Sequence, residues 1–255
     1  FRLLVIRSPL TGRSPMPPHQ PLNVAETCVG TRALGPGTRS AVWVQGCPFR
    51  CPGCLAPEWI PDRPARRVSP ADLAAELLAD PAVTGLTFSG GEPMAQAAGL
   101  AEAARAARAV RPELTLICFT GYRLERLRDR PPGPGVAELL AAADVLIDGL
   151  YVAGRNDDRG LRGSANQRVH HLTGRLREHA AALADGPRRV EVRVRDRAAL
   201  YVGVPSRAIA AAYPAPDPPG VAPPARAVNT PAASGVTSEW AGPSGRCDGG
   251  ERSAR

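Results

Sequence analysis

Residues 46–54 read GCPFRCPGC and follow an apolar run from Ala41 to Val44, which puts Cys47, Cys51 and Cys54 in the spacing C-x3-C-x2-C. A [4Fe–4S] cubane normally takes four cysteines. Three thiolates on one short loop hold it by three irons and leave the fourth open, the arrangement of a catalytic metal site and not of a closed structural one. Two other chemistries use similar residues. Structural zinc modules pair two C-x2-C or Cys/His knuckles; here Cys51 and Cys54 make one knuckle, Cys47 is offset, and no partner knuckle follows. A thioredoxin-like C-x2-C pair has no use for Cys47. The spacing favours iron–sulfur, with zinc and dithiol chemistry as the alternatives. His170, His171 and His179 lie far along the chain and read as surface or core residues, and Cys28, Cys118 and Cys247 as isolated buried or tail residues.

Composition bounds the rest. At 255 residues and 44% apolar, the chain can bury the core of one sizeable domain. Aromatics are only 4%, so that core rests on Leu, Val and Ala. The formal charge of +8 invites a nucleic-acid reading, but all 32 basic residues are arginine. With abundant Ala, Gly and Pro, that is the mark of a GC-rich source. The arginines form no dense block interleaved with aromatics, so no nucleic-acid partner is expected. Six cysteines, three of them crowded together, are no disulfide scaffold; a reduced, cytoplasmic setting is expected. No apolar run reaches the roughly eighteen residues of a membrane span, and Arg2 and Arg7 interrupt the N-terminal apolar piece, so neither a membrane partner nor a signal peptide is expected. The chain opens on Phe1, and Met16 is a candidate initiator.

Along the chain, residues 1–20 read as an extension, 21–204 as the folded domain, and 205–255, rich in Pro and Ala without apolar periodicity, as a disordered tail. Strands are expected at 22–25 and 41–44, joined by the turn-rich GTRALGPGTRS. Ser69, Pro70 and Asp72 spell a helix start, with Ser as N-cap and Pro at the first position. GLTFS (85–89), LTLICF (114–119) and DVLIDG (144–149) read as buried strands separated by an Ala-rich helix over about 95–110 and a shorter one in VAELLAAA. That alternation argues for βα units and a parallel sheet. A helix-like segment is expected around 168–183, then two β-prone pieces, RRVEVRVRD and ALYVGVP.

Further motifs sit at the ends of these strands, where ligands of parallel sheets gather. Ser89-Gly90-Gly91-Glu92-Pro93 closes the first, Cys118-Phe119-Thr120-Gly121-Tyr122 the second and Ile147-Asp148-Gly149 the third. Each alone could be a turn or a helix cap. Their order after C-x3-C-x2-C, with TRALGPG (31–37) before it and RGSANQR (162–168) and VGVP (202–205) behind, resembles the small activating enzymes of the radical SAM superfamily. The resemblance covers about 21–205. One departure is Leu55-Ala56-Pro57 after the last cysteine, where the best-known activators carry an aromatic or His and then Asn.

The resemblance implies an α/β fold, an incomplete TIM-like βα barrel of the radical SAM type with disordered termini. It implies two cofactors, a [4Fe–4S] cluster on Cys47, Cys51 and Cys54 and S-adenosylmethionine chelated to the open iron. Gly90, Gly91 and Glu92 would bind the methionine end, and Thr120, Gly121 and Asp148 supply remaining contacts. An electron entering the sulfonium would release methionine and a 5′-deoxyadenosyl radical. The expected partners are a glycyl radical enzyme such as anaerobic ribonucleotide reductase, as protein substrate, and a flavodoxin- or ferredoxin-like reductant. A radical SAM enzyme acting on a small molecule or peptide, or a non-catalytic iron–sulfur or zinc module, are the alternative readings.

Overall fold

A computed structural model describes residues 21–195 and 198–212. The expected N-terminal extension lies outside the described residues, as does the expected tail beyond Ala212. Seven strands form one mixed sheet in the order β3-β1-β2-β4-β5-β6-β7. They are β1 (Leu22–Thr31), β2 (Arg39–Val44), β3 (Arg66–Val68), β4 (Gly85–Gly90), β5 (Thr115–Thr120), β6 (Val145–Asp148) and β7 (Arg168–His171). β2, β4, β5 and β6 run parallel, while β1, β3 and β7 pair antiparallel at the flanks. The α/β class expected from the βα alternation is what forms. The sheet does not close on itself: β3 and β7 are its two edges.

The crossover helices are α1 (Pro70–Leu77), α2 (Ala97–Val110), α3 (Leu124–Asp129) and α4 (Val136–Ala142). α1 starts where the sequence says, with the Ser69 hydroxyl accepting from the Asp72 amide at 3.1 Å. Leu73, Leu77, Leu100, Ala104 and Leu139 face the sheet at helical spacing and meet Val42, Val44, Leu86, Phe88 and Leu116 in one core. That is the two-layer burial any amphipathic helix on a sheet must find. A second core fills the opposite face with Ala41, Trp43, Ile117, Val145 and Ile147, closed by Leu176, Leu183 and Val202 from the C-terminal segments.

Between these strands lies Arg39, wholly buried at the amino end of β2. Its guanidinium donates to the Thr87 hydroxyl (2.8 Å), the Thr115 hydroxyl (2.9 Å) and the Leu86 carbonyl, so neutral acceptors on β4 and β5 hold a cation inside the protein. Burial lowers its pKa to about 9.

The region expected to be helical from 168 to 183 divides instead into strand β7, a turn-rich stretch and the short α5 (Ala180–Asp185). β7 wins because Arg168 and His170, two residues apart, both reach Asp148 on the neighbouring strand, which only an extended backbone allows. The two β-prone pieces form a separate hairpin, β8 (Val190–Arg195) and β9 (Ala198–Gly203), followed by α6 (Arg207–Ala212). No helix among the described residues is long and apolar enough to cross a membrane.

Candidate iron–sulfur site

β2 delivers the chain to the cysteine loop at the carboxyl end of the parallel strands. The loop is closed at its base: the Gly46 amide donates to the Trp59 carbonyl (2.9 Å) and the Cys47 amide to the Ile60 carbonyl (3.0 Å). At its tip the Cys54 amide donates to the Cys51 carbonyl (3.1 Å), a tight turn with Gly53 at φ 71°. Trp43 and Trp59 pack with ring centroids 5.5 Å apart, under the loop on the strand side.

Three amide side chains that carry no sequence motif stitch this loop to the sheet. Gln45 donates to the Pro61 carbonyl (2.7 Å), and Gln96 donates to the carbonyls of Asn23 and Gln45 (3.1 Å each). Asn23 donates to the Arg63 carbonyl and accepts from the Ala65 amide (2.8 Å each). The bonds to the Gln45 and Arg63 carbonyls and the Ala65 amide satisfy backbone groups outside the strand ladders, while those to Asn23 and Pro61 add a second partner to carbonyls already bonded by Gln45 and Arg63.

The SGGEP turn docks on the loop backbone to backbone. The Gly91 amide donates to the Val44 carbonyl (2.7 Å) and the Glu92 amide to the Gly46 carbonyl (2.9 Å). A methyl group at Gly91 would lie on the Gly46 carbonyl and 2.9 Å from the Trp59 oxygen, so only glycine permits this approach. Glu92 turns inward and is 1% exposed. One of its oxygens accepts from the Met94 amide (2.9 Å) and the Thr120 hydroxyl (2.8 Å), the other from the Gly121 amide (2.8 Å). Burial pushes its pKa up to about 7 against those three hydrogen bonds. Glu92 therefore ties the end of β4 to the end of β5. Next to it, Phe49 of the cysteine loop lies edge-on to Tyr122 at 4.7 Å and fills the space over Gly121, where a Cβ would come within 2.6 Å of its ring.

Asp148 is drawn elsewhere. Its buried carboxylate meets Arg168 (3.0 and 2.6 Å), Arg123 (3.3 Å), His170 (3.0 Å) and the Leu124 amide (2.7 Å). Burial alone would raise its pKa, but Arg168, the Leu124 amide and His170 outweigh that and hold it at about 2. Its bonds run to β7 and the start of α3, away from the cysteine loop. Of the residues singled out by sequence, Gly90, Gly91, Glu92, Thr120 and Gly121 thus gather beside Cys47, while Asp148 braces the sheet.

The three thiols are half-buried and feel one another. Burial raises the pKa of Cys47 to about 11, with Glu92, Cys54 and Cys51 adding to it, and burial likewise raises that of Cys54. Thiolates disfavoured at Cys47 and Cys54 in the absence of a cation suit a cluster that supplies the positive charge. Among the described residues no three His, Cys, Asp or Glu side chains converge as ligands of a single ion. A cubane asks for a wider triangle, since each thiolate takes a different iron. Cys28 and Cys118 are buried in strands and belong to the two cores. The donor set on this loop fits a three-cysteine cluster.

Residues 33–170 match the family described as the 4Fe–4S single cluster domain. The anaerobic ribonucleoside-triphosphate reductase-activating protein of Vibrio cholerae serotype O1 is 32% identical over 148 residues, 54% of this chain and 91% of that protein. Its namesake in Escherichia coli K12 is 28% identical over 151 residues, again 54% of this chain and 91% of the relative. That of bacteriophage T4 is 28% identical over 149 residues, 57% and 91%. The family match runs from the TRALGPG stretch through the cysteine loop to β7, and the chain belongs to the 4Fe–4S single cluster domain family, as an enzyme of the radical SAM activating type.

Proposed function

We propose that this enzyme cleaves S-adenosylmethionine at a [4Fe–4S] cluster held by Cys47, Cys51 and Cys54, and thereby activates a glycyl radical enzyme of the anaerobic ribonucleotide reductase kind. The observation that carries the reading is the docking of the SGGEP turn, backbone to backbone, against a loop that offers three thiols and no fourth. When bound, the cluster supplies the electron that splits the sulfonium into methionine and a 5′-deoxyadenosyl radical, the oxidant that takes hydrogen from a glycine of the partner.

This chain's own residues bind and orient. Gly90 and Gly91 let the end of β4 pack directly on the backbone of Trp43, Val44 and Gly46, which brings the strand end alongside the cysteine loop where the methionine end would bind. Glu92 fixes the spacing between the turns after β4 and β5, so Thr120 and Gly121 stand at a set distance from the cysteines. Phe49, Trp43, Trp59 and Leu55 exclude water from the strand side of the loop. Asp148 acts at one remove, holding β6, β7 and α3 together. We read the open sheet as a partial TIM-like barrel and residues 21–204 as the catalytic domain; its unclosed side suits a protein substrate. A flavodoxin- or ferredoxin-like protein is the electron donor in this scheme.

The test is anaerobic reconstitution with iron and sulfide, then dithionite and S-adenosylmethionine, with 5′-deoxyadenosine measured by chromatography. Wild type should form it and Cys51→Ala should not. A loaded protein that makes none, or unchanged turnover in Cys51→Ala, refutes the proposal. The named partner is tested by adding an anaerobic ribonucleotide reductase and looking for the doublet of a glycyl radical by electron paramagnetic resonance.

A further inference from the structure

At the opposite, amino end of the parallel strands lies a cavity of about 360 Å³, the size of small-ligand sites. The β1–β2 connection, α5 and the segment leading into β8 enclose it. Its floor is apolar, built from the buried Leu161, Leu183 and Val204. Its polar lining is cationic: Arg32 and Arg189 at the rim, Arg188 in the wall and His179 beside α5. No carboxylate among the described residues lines it.

The two kinds of arginine differ in state. The Arg188 side chain is 4% exposed and fully engaged, donating to Asn156 (2.7 Å) and to the carbonyls of Arg162 (2.7 Å) and Pro205 (3.0 Å). It builds the wall, and Asp158 at 3.5 Å and Asp157 at 3.9 Å balance its charge, so the positive charge offered to a ligand is that of the rim. Arg32 and Arg189 are exposed, and neither guanidinium makes a hydrogen bond or ion pair among the described residues. Other exposed arginines also lack a described partner; what sets Arg32 and Arg189 apart is that they stand together at the mouth of an apolar hollow. An anion between them would gain charge-assisted hydrogen bonds, and an apolar body behind it would displace water from the leucine and valine floor.

We propose that this cavity binds a small organic anion, a carboxylate, sulfonate or phosphomonoester on an apolar body, at a site separate from the cysteine loop. The site needs no cluster and stands independently of the activity proposed above.

The probe is 8-anilinonaphthalene-1-sulfonate, which has that chemistry, compared with the uncharged N-phenyl-1-naphthylamine, each titrated by fluorescence into the full chain. Wild type should bind the sulfonate at one saturable site and the neutral analogue about tenfold more weakly, since the rim charges act only on the anion. Replacing both rim arginines (Arg32→Ala with Arg189→Ala) should weaken the sulfonate about tenfold and leave the neutral probe unchanged. Ala182→Trp, at an exposed position of α5 on the cavity wall, should abolish both by filling the hollow. Equal affinity for the two probes, or sulfonate binding that survives the arginine replacements, would overturn the proposal and place the dye on a general apolar surface such as Val192, Val194 and Tyr201 of the hairpin. The arginine variant alters only exposed side chains, so its outcome decides the matter even if Ala182→Trp fails to fold.

Discussion

Replacing Gly91 with alanine is the sharpest perturbation of the candidate site, because it adds one methyl group and no charge. Gly91 needs no left-handed backbone, so the effect is steric alone. The new Cβ would stand 2.6 Å from the carbonyl carbon of Gly46 and 2.9 Å from the oxygen of Trp59, where ordinary contact begins near 3.4 Å. The strand end and the cysteine loop must therefore part by at least about 0.8 Å, since the Gly46 carbonyl oxygen lies closer still than its carbon. Three backbone hydrogen bonds cross or flank this contact: Gly91 to Val44, Glu92 to Gly46, and Gly46 to Trp59. Losing two of them at about 1 kcal/mol each, with overpacking of a further 1–2 kcal/mol, gives roughly 3–4 kcal/mol. For a chain of this size that lowers Tm by roughly 5–15 °C.

The consequence for function is larger than for stability. Both movable partners carry chemistry, the loop its thiols and the turn its main-chain groups. Gly91→Ala should therefore load less iron per chain on anaerobic reconstitution and release 5′-deoxyadenosine at least tenfold more slowly. Gly133→Ala, where a methyl meets nothing within 4 Å, is the matched control and should behave as wild type. A Gly91→Ala protein with full iron content, wild-type Tm and undiminished 5′-deoxyadenosine would refute the close docking of turn on loop.

Two further substitutions separate bracing from binding. Glu92→Gln keeps an acceptor for the Met94 amide and Thr120 hydroxyl but sets an NH2 group against the Gly121 amide, leaving two buried donors face to face. It should cost about 1–3 kcal/mol, read by thermal melting. As a brace it should lower turnover while iron content stays near wild type; full turnover together with an unchanged Tm would remove Glu92 from that role. Asp148→Asn removes the charge that Arg168 and Arg123 share. Those arginines are 41% and 44% exposed and can rehydrate, so the cost should fall below the usual range for breaking a buried pair, at about 2 kcal/mol. Its pH signature is specific. The folded pKa near 2 lies below the ordinary 3.8, so the ionised carboxylate stabilises the fold above about pH 4 and loses that effect as pH falls from 4 towards 2. Denaturation of Asp148→Asn should be flatter than wild type in that window, and an identical slope would show the network carries no such stabilisation.

How much of this could be read from sequence depends on how far apart the partners lie. The Ser69 cap, the strands ending in SGGEP and TGY, and the cysteine spacing are local signals, and each stands where the pattern puts it. β7 is open to misreading because RVHHL is too short to tell period 2 from period 3.6; its Arg168 and His170 declare the strand only once Asp148, some twenty residues earlier, is beside them. The short α6 is hidden for a different reason: six residues of RAIAAA sit in a stretch whose average composition is Pro-rich.

The amides of the loop are the instructive case. Asn23, Gln45 and Gln96 carry no motif, and their bonds span from 13 to 73 residues of sequence. Nothing local distinguishes them from any polar surface residue. They are nonetheless what an irregular, metal-binding loop requires, because a segment that gives up strand and helix pairing must find other partners for its carbonyls and amides. The cysteine motif supplies the atoms that the proposed site would offer to iron; the means of holding those atoms still is written in unremarkable amides on β1, at the end of β2 and ahead of α2. The same division runs through Glu92. Its place in SGGEP suggests a contact with ligand, yet both of its oxygens accept hydrogen bonds within the protein, and the Gly91 and Glu92 amides are spent on Val44 and Gly46, so the turn is committed first to holding the cysteine loop.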